Sequence, residues 1–185
     1  MNATITSTAH YVPERVLTNS DLEKLVDTSD EWIKSRVGIN QRHVVSDGEA
    51  SSDMSTNVAH SLLEKRGISA ANIDVIIIGT VTPDHPTPST AAIVQNNINA
   101  ENAWAFDLSA ACSGFLYALE TGAKFIESGQ YKTIMVIGVD TMTSILDFED
   151  RETCIIFGDG AGGVILEASK SNTGILGSVL KTDGS

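Results

Sequence analysis

Residues 104–129 read WAFDLSAACSGFLYALETGAKFIESG, and the order of their parts decides the fold. Ala103 to Asp107 predicts a short buried strand. Ser109 is the expected N-cap, and from Cys112 the apolar positions Phe115, Leu116, Leu119, Ala123 and Ile126 keep a helical beat until Gly129 stops it. A strand, a small-residue turn and a helix of about 25 Å put Cys112 in the helix's first turn. Unpaired backbone N–H groups and the positive end of the helix dipole favour a thiolate there. The flanking alanines and glycine leave room for another molecule to reach the sulfur. Two readings stand at this point. Cys112 is a nucleophile, or it is a small apolar residue filling an Ala-rich helix start.

Working outward, the chain alternates apolar strands with amphipathic helices. Thr4 to Tyr11 predicts a first strand ended by Pro13. A short helix follows, capped by Thr18 or Ser20, with Leu22 and Leu25 on one face. Ser29 caps the next helix, with Asp30 and Glu31 in its first turn and Gly38 beyond its end. Ser51 to Lys65 predicts a helix with Met54, Val58 and Leu62 four apart and Gly67 as its stop. Ile73 to Val81 is apolar enough for a strand buried on both faces. Thr87 and Pro88 suit the N-cap and first position of a helix running to about Ile98. Ile134 to Asp140, Val164 to Glu167 and Ile175 to Leu180 predict further strands, and Cys154 a buried position in a strand. This pattern implies an α/β layered fold with a largely parallel sheet flanked by helices.

Gly158, Gly160 and Gly163 satisfy G-x-G-x-x-G, with Asp183 at about the right distance for a ribose-binding acid. A dinucleotide site needs a helix after the glycines, but Val164-Ile165-Leu166 continues as strand, so no helix N-terminus waits for a pyrophosphate. The glycines are expected to form a tight turn between strands, with no nicotinamide or flavin bound.

Length and charge narrow the function further. The 185 residues suffice for one domain with a sizeable core, and the hydrophobic fraction of 42% is ordinary for a globular chain. The longest apolar run, Val75 to Ile78, is strand-sized, and the N-terminus carries no signal-peptide core, so no membrane segment is expected. Cys112 and Cys154 fit neither a metal-ligand spacing nor a disulfide framework, which points to a reducing cytoplasm and no metal. Acidic residues outnumber basic ones 24 to 12, for a net charge of −12. That argues against nucleic-acid binding and makes each arginine informative.

The stretches TNSDL (18–22), DTSDEWI (27–33), RVGI (36–39), AFDLSAACSGF (105–115), Asp150-Arg151 and FGDGAG (157–162) occur together and in order. In this combination the sequence resembles the β-ketoacyl-acyl-carrier-protein synthase III family of thiolase-like condensing enzymes. The resemblance implies one half of a layered αβαβα fold, with residues 1–185 as a single N-terminal half-domain. It implies that Cys112 accepts an acyl group from acyl-CoA and passes it to the carbanion of decarboxylated malonyl-carrier protein. An oxyanion hole of backbone N–H groups would steady the developing charge. Thr28, Trp32, Arg36 and Arg151 match positions that hold the CoA nucleotide. Trp32 and Arg36, four apart on one short helix, share a face suited to adenine stacking and phosphate pairing. Taken without the family, Trp32 reads as a packing anchor and the arginines as a solvated surface pair. Thr87, Met142 and Phe157 match the acyl pocket, Thr87 across a dimer interface where a large aromatic would restrict the primer.

The family's catalytic histidine and asparagine lie in a second half. His10, His43, His60 and His85 match neither, so the chain is expected to be the nucleophile-bearing half, inactive alone. No resident cofactor is implied; acyl-CoA is substrate, acyl carrier protein and a second copy are partners. Two other functions stay open: a starter-unit acyltransferase or condensing enzyme of a polyketide or quinolone pathway, and a non-catalytic α/β fragment.

Overall fold

The computed structural model describes residues 2–171 and 173–184. Every residue of the strand β4 (Val75–Gly79) is buried. Side chains alternate across a strand. Ile76 and Ile78 therefore enter one core with Met54, Val58, Leu62, Met135 and Ile137, while Val75 and Ile77 enter a second with Ala118, Ala123, Ile126, Ile134 and Val136. An unbroken apolar run was the expected sign of this double burial.

Around it lie β1 (Asn2–Tyr11), β5 (Trp104–Leu108), β6 (Thr133–Thr141) and β7 (Asp159–Ser169). The sheet order is β1-β7-β6-β4-β5. Strand β4 runs parallel to both β5 and β6, whereas β7 is antiparallel to β6 and to β1. The sheet is thus mixed, with the parallel strands grouped at its centre and one edge. Helices α3 (Ser51–Arg66) and α4 (Thr90–Asn97) cover one face, and α5 (Gly114–Glu127) covers the other. A smaller layer carries β2 (Val16–Thr18), α1 (Asn19–Leu22), α2 (Asp30–Val37) and β3 (Gln41–His43), with β2 and β3 paired antiparallel.

Several expectations change in detail. Thr18 caps α1, but Leu25 lies beyond its end and is exposed. The cap of α4 is Ser89, whose hydroxyl accepts from the Ala92 N–H, so Thr87 is not the cap and the helix starts at Thr90. Ser109 caps nothing: a single 3-10 turn, Ala111–Ser113, precedes α5 and has no side-chain cap. The glycine run does not turn. Asp159–Ser169 is one continuous strand, and Gly163 is required there because a Cβ would lie 2.9 Å from the Val136 carbonyl and 2.9 Å from Ile137 Cγ1. Ile175 to Leu180 forms no strand, although the Ile175 N–H donates to the Ala3 carbonyl. Cys154 is buried but sits in consecutive turns rather than a strand.

Candidate active site

Strand β4 is flanked by β5 and β6, and the chain reaches β6 from β5 by crossing over β4 through α5. In such open sheets the crevice opens beyond the carboxyl ends of the strands where the order reverses. A cavity of about 690 Å³ lies there. Its wall takes Gly79 from the end of β4 and Val81 just beyond it, Cys112 from the turn after β5, Phe115 from the start of α5, and Gly138, Val139 and Asp140 from β6; Met142, Phe157 and the glycines leading into and along the start of β7 also line it.

Cys112 is exposed and lies in the middle of the 3-10 turn that opens α5. Two backbone features hold it there. Ala111 adopts φ 46°, a left-handed value that costs a non-glycine residue about 1–2 kcal/mol. Gly79 and Gly114 touch so closely that a Cβ on Gly79 would come within 2.8 Å of the Gly114 carbonyl carbon. The glycine therefore lets the helix start sit directly on the end of β4. The turn is closed by the Ser113 N–H donating to the Ala110 carbonyl and the Gly114 N–H donating to the Ala111 carbonyl.

Carboxylates tie the walls together. One oxygen of Asp140 accepts the Val81 and Thr82 N–H groups and the Thr80 and Thr82 hydroxyls, joining the ends of β6 and β4. Asp107 accepts the Thr90 and Ala91 N–H groups, fixing the start of α4 to β5. Asp159, itself buried, accepts from Val45 N–H and from the Thr143 N–H and hydroxyl beside Met142. Sequence reading missed all three. Their signal is an aspartate closing or opening an apolar strand, which resembles ordinary turn chemistry.

A second cluster lies on the smaller layer. Trp32 is flanked by two cations, the Arg151 guanidinium carbon 4.8 Å and the Arg36 one 5.6 Å from the ring centroid. Arg151 also donates to the Asp27 carbonyl at 3.0 Å, next to Thr28. The Thr28 hydroxyl is buried without a hydrogen-bond partner. The body of Trp32 packs against Leu22, Ile33, Cys154 and Ile155, so anchor and exposed cation platform are combined in one side chain. The structure thus brings Thr28, Trp32, Arg36 and Arg151 together, and separately Cys112, Met142 and Phe157. Thr87 is exposed and lines no part of the Cys112 cavity within this chain. Among the described residues no histidine lines it either. Burial pushes the Cys154 thiol up from its ordinary range, Asp150 adding to the effect and Arg42 opposing it.

A family profile described as 3-oxoacyl-[acyl-carrier-protein (ACP)] synthase III matches residues 106–184. The β-ketoacyl-[acyl-carrier-protein] synthase III of Chlorobaculum tepidum is 60% identical over 186 residues, covering 100% of this chain and 56% of its own length. The chain is similar, end to end, to one half of a β-ketoacyl-[acyl-carrier-protein] synthase III. The crystal structure of the 3-oxoacyl-[acyl-carrier-protein] synthase III of Aquifex aeolicus superposes with a TM-score of 0.89 at 46% identity, over 91% of this chain and 55% of that one. A priming β-ketosynthase from a polyketide biosynthetic pathway also gives 0.89, at 32% identity, over 91% and 51%. The mixed sheet flanked by helices is therefore the thiolase-like α/β fold of these synthases. The chain spans about half the length of the relatives it matches.

Proposed function

We propose that the protein supplies the nucleophile of a β-ketoacyl-[acyl-carrier-protein] synthase III, which starts fatty-acid synthesis. One observation carries the reading: an exposed cysteine opens onto a cavity at the carboxyl ends of three parallel strands. In this reading the Cys112 thiolate attacks the thioester carbonyl of an acyl-CoA. The tetrahedral intermediate collapses with loss of the CoA thiolate and leaves the acyl group on sulfur. Loss of carbon dioxide from malonyl-carrier protein then yields a carbanion that attacks the Cys112 thioester, forming the carbon–carbon bond and returning the thiolate. Covalent capture divides a three-partner event into two easier steps.

The CoA nucleotide is assigned to Trp32, Arg36, Arg151 and Thr28. An indole face offers stacking, two guanidiniums offer phosphate pairing, and the orphaned Thr28 hydroxyl lacks a partner that a ligand would supply. Met142 and Phe157 are assigned to the acyl pocket. Thr87 joins them from a second copy, as its exposure in this chain allows. The unpaired side of the edge strand β5 is compatible with pairing between copies. The reading places the homodimer in the cytoplasm, with acyl-CoA and acyl carrier protein as partners and no resident cofactor. Among the described residues no helix is long and apolar enough to cross a membrane. Decarboxylation is assigned to groups outside this chain, since none of its histidines lines the cavity.

The likeness to the priming β-ketosynthase favours one second reading, a condensing enzyme that loads starter units for a polyketide. Both readings require acylation of Cys112, and they part at the acceptor. Acetyl-CoA with malonyl-carrier protein from each pathway, offered in competition to the protein at its natural length, is the test. Preferential extension on the fatty-acid carrier supports the first reading, and preference for the polyketide carrier replaces it with the second.

A further inference from the structure

Behind the Trp32 cluster lies a buried arginine that touches none of it. Arg42, on β3, is only 5% exposed. Its guanidinium donates to the Asn19 side-chain oxygen from both Nη1 and Nη2 at 3.0 Å, to the Leu17 carbonyl at 3.3 Å and to the Ile155 carbonyl at 3.0 Å; its Nε–H has no partner. All these acceptors are neutral oxygens. A buried cation without a carboxylate beside it is costly, and an apolar residue of similar volume often replaces such a group without loss of stability. A structural purpose alone does not account for it.

The acceptors explain it better. Asn19 passes the connection on, donating to Asp30 Oδ1 at 2.9 Å and to the Ile39 carbonyl at 2.8 Å, which are the first residue of α2 and the segment just after it. Trp32 and Arg36 ride on α2. Ile155 belongs to the consecutive turns that begin beside Arg151 and whose Cys154 and Ile155 side chains pack against Ile33. One planar fork therefore joins the two segments that carry the indole and the cation above it, the turns directly through Ile155 and α2 by way of Asn19. Gly158 makes room for the arrangement, because a Cβ there would lie 2.9 Å from Arg42 Cβ.

We infer that Arg42 is a positioning residue, holding α2 and the 151–156 turns at the separation that keeps Trp32 and Arg151 face to face, and so tuning affinity for the nucleotide end of an acyl-CoA. The inference rests on the nucleotide assignment made above. A lysine cannot reproduce it, since one ammonium lacks the planar fork that reaches both Asn19 and Ile155.

The test uses the protein at its natural length, with Arg42→Met, Arg42→Lys and Trp32→Ala. Each is compared for acetyl-CoA affinity, for Cys112 acylation at saturating acetyl-CoA, and for acylation by S-acetyl-pantetheine, which lacks the nucleotide. Trp32 emission is read separately in a Trp104→Phe background. Arg42→Met should weaken acetyl-CoA binding about two- to fivefold, the scale of one solvent-exposed cation–π contact. The saturated acylation rate and the reaction with S-acetyl-pantetheine should stay unchanged, and Trp32 emission should shift. Arg42→Lys, which keeps the charge and the packed stem, should show the same split to a smaller degree and serves if the methionine variant does not fold. Equal loss with both thioesters, or unchanged emission with unchanged affinity, overturns the positioning role. If Trp32→Ala itself leaves acetyl-CoA affinity unchanged, the nucleotide assignment falls, and the emission shift alone decides whether Arg42 sets the pair.

Discussion

Two thiols in one chain give the sharpest contrast between residues. Cys112 is exposed at the cavity wall, whereas Cys154 is fully buried and burial pushes its thiol up. A small alkylating agent at neutral pH should therefore modify Cys112 at least tenfold faster, because only an accessible thiolate reacts. Peptide mapping after partial labelling checks this, and raising the pH through the ordinary thiol range should not bring Cys154 into reach. Trp32 and Arg151 part in another way. Trp32→Ala should weaken acyl-CoA binding with its salt dependence intact, while Arg151→Ala should weaken it and flatten that dependence, since salt screens phosphate pairing. Titrations at two ionic strengths separate them; equal slopes would remove Arg151 from the phosphate. Helical spacing put Trp32 and Arg36 on one face in the sequence, but the functional reading of that pair and of Cys112 needed the family motifs. Arg151 came only through the family motif, and Arg42 was silent because its partners lie 23 and 113 positions away along the chain.

Among the elements, the close approach of β4 to α5 matters most to the site. Gly79→Ala would drive a Cβ to 2.8 Å from the backbone of Gly114 and 3.0 Å from the Phe115 nitrogen, contacts that no side-chain rotation relieves. The substitution should cost about 1–3 kcal/mol and slow acylation of Cys112 by shifting its turn. Gly177→Ala, with nothing within 4 Å of the added carbon, is the control that should leave both unchanged. Denaturant titration and a single-turnover acyl-transfer assay read the two effects. The elements best anticipated from sequence, α3 and β4, are those whose burial is set by their own pattern: Met54, Val58 and Leu62 on one stripe, and an unbroken apolar strand. The glycine-rich start of β7 was misread as a turn. Gly163 answers to Val136 and Ile137 on the neighbouring strand and Gly158, just before β7, to Arg42, rather than to any local bend, and tertiary contacts of that kind leave no local sequence signal. The position of Ser89 as the α4 cap was missed for a simpler reason, since Thr87 and Ser89 are both good caps and only the backbone chooses between them.

At the scale of the whole molecule, α5 and the last segment carry some of the most exposed apolar residues. Leu116 is 55% exposed, Leu176 78% and Val179 86%, and the Tyr117 hydroxyl donates to the Lys181 carbonyl. At roughly 25 cal/mol per Å², a few hundred Å² of such surface is worth several kcal/mol, comparable with a domain's entire stability. The 185-residue chain alone should therefore associate or dissolve poorly, and sedimentation should show species larger than a monomer. A stable monomer in dilute buffer would mean that this surface needs no cover. The central claim, that Cys112 is the acyl acceptor, is tested most directly by mass spectrometry. The protein, with any sequence that naturally continues it, is incubated with acetyl-CoA and then digested. The account predicts one acetyl group, labile to hydroxylamine as a thioester, on the peptide carrying Cys112 and lost in Cys112→Ser. An unmodified Cys112 peptide, or an acetyl thioester on Cys154 instead, would contradict it.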